Sequence, residues 1–173
     1  HLPFSIKSGE RYQQNAIKRL HMTIINNYEE YKAFEGKSLG ESQWHVIDQK
    51  QINQFADATL DHQWIHLDSE KAKTDSPFKS TIAHGYLTLS LIPYLWKQIA
   101  EVRNVKMEIN YGIENLRFAQ PVLVDNAVQL HTQVKSVVNL RGVVKVTIEA
   151  TLKIKDSAKP AYVCDVIFLY HFN

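Results

Sequence analysis

Beyond Thr81 the chain runs through Tyr86, Leu87, Leu89, Leu91, Ile92, Tyr94, Leu95 and Trp96, so a helix there is apolar nearly all round. A helix with no polar face must be enclosed by other structure. A membrane is not that structure, because Thr88, Ser90, Pro93, Lys97 and Gln98 leave the run Gly85 to Ile99 too short and too polar to span a bilayer. The enclosure has to come from the rest of the chain. Pro93 deletes one backbone hydrogen bond within the segment and predicts a bend.

The last third of the sequence changes period and supplies the cover. Val128, Leu130, Thr132, Val134, Ser136 and Val138 alternate with Gln129, His131, Gln133 and Lys135. After a turn at Asn139 to Gly142, Val144, Val146, Ile148, Ala150, Leu152 and Ile154 alternate with Lys145, Thr147, Glu149, Thr151 and Lys153. Tyr162 to Tyr170 reads as a further strand, and so does Lys106 to Arg117, interrupted at Gly112 where a bulge or bend is expected. Strands apolar on one face cover something on one side only. A long buried central helix wrapped by a curled antiparallel β-sheet is the hot-dog architecture, an α+β fold, and it is the fold expected here.

Shorter elements precede these. Tyr28, Tyr31, Ala33 and Phe34 give a short helix ended by Gly36, and Trp44 to Ile47 a short strand. Asp48 offers an N-cap, with Gln51 placed to close a capping box, for a helix that buries Ile52, Phe55, Ala56 and Ala58 and stops near Thr59-Leu60. Ser69 is a plausible cap for one more turn. With neither repeat nor linker, residues 23–173 are expected to be one domain. His21-Met22 resembles a dipeptide left by cloning, so residues 1–22 are expected to be a cloning remnant or an N-terminal extension and carry no functional weight.

Composition narrows the function classes. A net charge of +2 over 173 residues, with no clustered Lys/Arg stripe, argues against nucleic acid. Cys164 is the single cysteine, which rules out an intramolecular disulfide or a cysteine-built zinc site, and its apolar surroundings read as core. No basic-then-apolar leader opens the sequence, so a cytoplasmic location is the expectation.

The stretch FADATLDHQWIHLDSEKA, followed by SPFKSTIAHGYLTLSLIPYLW and then NYGIENLRF, resembles the MaoC-like dehydratase family. The likeness is closest to its nodulation protein N-like branch, related to the (R)-specific enoyl-CoA hydratases, and it runs from about Tyr28 to the C-terminus. The family's motif, an Asp, an amide residue two positions on and a His five positions on, falls on Asp61, Gln63 and His66. Leu60, Gln63 and Trp64 stand where the family usually carries Gly, Asn and Pro. The resemblance implies reversible addition of water to a trans-2-enoyl thioester, giving an (R)-3-hydroxyacyl thioester. No metal or redox cofactor is expected; coenzyme A belongs to the substrate, which rides on it or on acyl carrier protein. A homodimer is expected, and neither nucleic acid nor membrane as a partner.

The residue types suit that chemistry. Hydration adds water at the β-carbon and a proton at the α-carbon, and a carboxylate and an imidazole converging on one water can move both protons, each transfer worth roughly 10²–10⁴-fold. Gln63 orients that water without titrating. Charge develops on the thioester oxygen, and the resemblance implies that the Gly85 N–H, at the head of the apolar helix, meets it. His84 shapes or hydrogen-bonds the site. Taken alone, Asp61 could be a turn residue and His66 a core histidine; three segments in register favour the functional reading. His62 and His66 stand four apart like a metal pair, without a Glu between them or a third ligand. Arg117 either fixes the loop carrying Asp61 or makes an ordinary surface pair, and Trp64 packs beside the site. Lys71, Lys73, Lys79 and Arg103 are solvated, or meet coenzyme A phosphates. Two other functions fit the same fold: an acyl-CoA thioesterase, and a non-catalytic acyl-binding protein.

Overall fold

A computed structural model describes residues 22–173. The expected remnant or extension lies outside them, apart from its last residue, Met22. In chain order the elements are β1 (Thr23–Ile25), α1 (Tyr28–Lys32), β2 (Ser38–Glu41), β3 (His45–Val46), α2 (Gln49–Thr59), α3 (Trp64–Leu67), α4 (Ser69–Asp75), α5 (Gly85–Ser90), α6 (Ile92–Trp96), β4 (Ala100–Val102), β5 (Val105–Glu114), β6 (Ala127–Leu140), β7 (Val143–Ile154) and β8 (Tyr162–Phe172).

The long strands form a six-stranded sheet in the order β2-β6-β7-β8-β5, with β3 also on β6 and every pairing antiparallel. A separate parallel pair joins β1 to β4. The alternation read from the sequence is literal in β7, where Val144, Val146, Ile148, Ala150, Leu152 and Ile154 are buried and the residues between them are not. Leu140 faces Val143 across Arg141 and Gly142, both at positive φ (55° and 99°), which is the turn chemistry a two-residue hairpin needs. In β5 the register slips between Asn110 and Gly112, the bulge expected at that glycine. β8 departs from one-sided burial: Asp165 and Ile167 are buried as well as Val166 and Phe168. Asp165 is kept there by Lys135 Nζ at 2.8 Å and Asn115 Nδ2 at 2.9 Å.

The enclosed helical segment runs from Gly85 to Trp96 in two pieces. They meet at Leu91, and Pro93 falls in the first turn of α6, where its missing N–H costs no helical hydrogen bond. Leu87, Leu91, Ile92, Leu95 and Trp96 join the sheet's Val128, Leu130, Val146, Ile148, Leu152, Tyr162 and Phe168 in one core. Trp96 stacks on Phe168 at 5.9 Å between centroids. The segment is not apolar-buried all round: Tyr86 and Tyr94 keep 68% and 55% of their surface exposed, because the sheet wraps only part of the helix circumference. This is the hot-dog fold.

Two caps differ in detail from the sequence reading. Asp48 accepts from the Gln51 N–H at 2.8 Å, but the Gln51 side chain meets His45 Nε2 at 2.9 Å rather than closing a box. Asp68, one residue before Ser69, caps α4 through the Lys71 N–H. Leu60 ends α2 in the left-handed region at φ 64°, with 79% of its surface exposed. A β-carbon there costs about 1–2 kcal/mol, and no packing offsets it. Leu60→Gly is therefore expected to raise stability by about 1 kcal/mol in urea unfolding, with Ala at the same position giving no gain.

Candidate active site

Leu60 reverses the chain out of α2, and Asp61, His62 and Gln63 carry it into the single turn of α3. That turn places His66 on its inner side, 8% exposed, while Asp61 stays at the rim with its side chain 52% exposed. The His66 ring is fixed by its surroundings: Nδ1 lies 2.7 Å from the Ile82 carbonyl. A carbonyl only accepts, so Nδ1 carries the hydrogen and Nε2 of the neutral ring keeps its lone pair. Burial holds the His66 pKa below its ordinary 6.5, partly opposed by the bond to Ile82, with His84 lowering it further and Asp61 raising it.

His84 comes from the segment before α5 and lies almost wholly buried, 2% exposed. It stacks on His66 with centroids 3.8 Å apart and planes 24° apart, and Phe55 covers it at 5.0 Å. Its Nε2–H donates to the Asp61 carbonyl at 3.0 Å and lies 4.0 Å from Asp61 Oδ2. Its Nδ1 is buried and has no hydrogen-bond partner among the described residues. Thus His84 ties down the backbone of the residue whose carboxylate completes the cluster.

Gly85 follows directly. His66, Gly85, Thr88, Phe118 and Val122 share one cavity of about 290 Å³. The Gly85 N–H donates to no group among the described residues. The glycine has a reason beyond ligand approach: a β-carbon here would lie 3.0 Å from ring carbons of Phe118. Phe118 is held in turn by edge contacts with Tyr86 and Tyr162, each at 6.0 Å.

The structure thus brings Asp61, His66 and His84 together and sets Gly85 beside them. Gln63 precedes α3 and is exposed; its N–H reaches Asp61 Oδ1 at 3.5 Å and its carbonyl accepts from the His66 N–H at 3.1 Å, while its side chain bonds none of the described residues. His62 and His66 do not share a helix face, because α3 begins only at Trp64; His62 pairs with Asp57 at 3.0 Å instead. One potential ligand atom each from Asp61, His66 and His84 lies within 4.8 Å of the others. Arg117 does neither of the things expected of it and donates to the neighbouring Leu116 carbonyl at 2.7 Å. Trp64 is half-buried and lies under Lys71 Nζ, 4.6 Å from the ring centre.

Sequence reasoning passed over Phe118, Gln49 and Thr81. Phe118 ends the quoted segment NYGIENLRF, but nothing there shows which glycine its ring would meet.

Comparison with known proteins follows the same lines. The family described as "MaoC like domain" matches residues 30–155. A 3-hydroxyacyl-thioester dehydratase Z of Mycobacterium tuberculosis is 42% identical over 150 residues, covering 86% of this chain and 99% of that protein. Nodulation protein N of Rhizobium leguminosarum bv. viciae is 39% identical over 141 residues, covering 80% and 87%. Among solved structures, an R-hydratase of Pseudomonas aeruginosa superposes with a TM-score of 0.66 at 22% identity, over 84% of this chain and 86% of that one, a likeness of fold. With most of its length matched by the family and by relatives aligned nearly end to end, the chain belongs to the MaoC-like dehydratases.

Proposed function

We propose that the protein is a hydro-lyase that reversibly hydrates a trans-2-enoyl thioester to an (R)-3-hydroxyacyl thioester. Family membership supports a hydratase or dehydratase role in general; the enoyl thioester and the stereochemistry are the finer part of the proposal. The observation that carries it is the meeting of the Asp61 carboxylate with a buried His66 that keeps a free Nε2 lone pair, and the unpartnered Gly85 N–H, which shares one cavity with His66.

In this reading a water sits between Asp61 and His66. Its oxygen bonds to the β-carbon, the pair takes one of its protons, and that proton is delivered to the α-carbon. The site ends each turnover as it began. The Gly85 N–H meets the thioester oxygen while the enolate exists, and one such donor is worth about 3–4 kcal/mol. A second cavity of about 280 Å³, lined by Leu89, Ile92, Pro93, Ile113, Val166 and Phe168, begins one helical turn beyond Gly85 and would take the acyl chain. Tyr86 is not part of that wall. Coenzyme A or acyl carrier protein would carry the substrate, and a cytoplasmic location goes with this reading. No helix of the described residues is long and apolar enough to cross a membrane.

A homodimer completes the proposal. Among the described residues β5 pairs only with β8, leaving its other edge open, and exposes Met107, Tyr111 and Ile113. An open edge with apolar residues invites pairing with a second copy. Wild type is expected to sediment as a dimer, and Ile113→Lys to shift it toward monomer; a monomeric wild type would refute the assembly.

Loss of the conjugated-thioester absorbance on adding enoyl-CoAs of graded length tests the activity. Asp61→Asn and His66→Asn are each expected to lower the rate by at least about 10²-fold while the protein stays folded by circular dichroism. Thiol release at the same rate as absorbance loss would point to a thioesterase instead. The pH profile tests His66 separately. Its basic form is the active one, so kcat/KM should fall as pH drops through the depressed His66 pKa, with a midpoint below 6.5. A midpoint above 6.5 would remove His66 from the role.

A further inference from the structure

The two segments that build the candidate site, Asp61–Leu67 and Thr81–Gly85, are joined directly by the Ile82 N–H on the Ile65 carbonyl at 3.2 Å, by His66 Nδ1 on Ile82 and by His84 Nε2 on Asp61, and a second time through a residue that belongs to neither. Gln49, the first residue of α2, donates from Nε2 to the His66 carbonyl at 2.8 Å and accepts at Oε1 from Thr81 Oγ1 at 2.6 Å. The same Nε2 donates its second hydrogen to Asn53 Oδ1 at 2.9 Å, so the amide is fully engaged at both ends. Thr81 is buried, and its carbonyl accepts from the Val124 N–H at 3.0 Å. His66 is therefore held twice against consecutive residues of the other segment: its carbonyl through Gln49 to Thr81, its ring directly to Ile82. From Ile82 the chain passes through Ala83, anchored by its N–H on Val122 at 2.8 Å, to His84 and Gly85.

We infer that Gln49 and Thr81 are positioning residues, a side-chain bridge that fixes the separation between the His66 imidazole and the Gly85 N–H. The inference rests on the reading that both groups act on one thioester. Nothing in the bridge touches substrate; it acts through His66. Its loss would leave the His66 carbonyl and the Thr81 hydroxyl without their partner and let the segments shift about the direct bonds that remain at Ile65–Ile82 and His66–Ile82, and a displacement near 1 Å costs on the order of 10²-fold in rate.

The test compares Gln49→Leu, Thr81→Val, their combination and Thr81→Ser in the enoyl-CoA hydration assay. Gln49→Leu is expected to lower kcat about 10²-fold with KM little changed. Thr81→Val should lower kcat in the same direction, and the double variant should be no worse than Gln49→Leu alone, because one bridge is broken once. Thr81→Ser, which keeps the hydroxyl, should restore kcat. Losses that multiply in the double variant, or a raised KM at unchanged kcat, would overturn the proposal. If Gln49→Leu fails to fold, Gln49→Glu keeps the acceptor for Thr81 but removes the donor to His66, and the same loss of kcat is expected. A second readout needs no activity: ¹⁵N-labelled imidazole spectra should show His66 as the Nδ1–H form in wild type, with that N–H protected from solvent exchange. Protection should fall in Gln49→Leu, and unchanged protection would count against the bridge. A wild type that hydrates no enoyl thioester would sink the proposed function, while the imidazole spectra would still decide whether the bridge holds His66.

Discussion

Everything in this molecule depends on the sheet closing over the paired helices α5 and α6. Leu87, Leu91, Leu95 and Trp96 are buried against the sheet's inner residues, and Tyr31 of α1 joins the same core through Tyr170. Each buried side chain of this size is worth roughly 1.5–3 kcal/mol relative to exposure. The same closure decides where chemistry can occur. It brings the head of α5 against the segment that carries His66, and the two imidazoles end up stacked in a pocket that the core itself walls off.

That packing sets the protonation pattern. A histidine in open solvent exchanges tautomers freely; here each ring has one carbonyl to satisfy. His66 gives its Nδ1–H to the Ile82 carbonyl and His84 its Nε2–H to the Asp61 carbonyl, so the two rings are anchored through opposite nitrogens. His84 Nδ1 is buried without a partner among the described residues, whereas Asp61 keeps its carboxylate at the rim. A neutral, desolvated base beside a solvated carboxylate is an arrangement suited to moving a proton to and from one water.

Glycine and leucine at the two ends of this site show opposite solutions to steric constraint. At Gly85 a β-carbon would press on the Phe118 ring at 3.0 Å, so the ring would have to give way by a few tenths of an ångström. Leu60 holds a left-handed turn that glycine would hold without strain, one residue before Asp61.

The strands, their alternation, the Gly112 bulge and the hairpin turn were legible in the sequence because period-two burial and turn residues act locally. The ends of α2 were equally legible, from Asp48 and the stop at Thr59. The short strands β1, β2 and β4 were not, since three or four residues carry too little pattern. The candidates Asp61, His66, His84 and Gly85 came from motif spacing and resemblance, and spacing says nothing about approach. That His84 would stack on His66, that Phe118 would crowd Gly85, and that Gln49 would join His66 to Thr81 are contacts between residues distant in sequence, and only the folded chain brings them within reach. The exposure of Tyr86 and Tyr94 was decided the same way: composition required that the helix be covered, and the curvature of the sheet determined how far around it the cover extends.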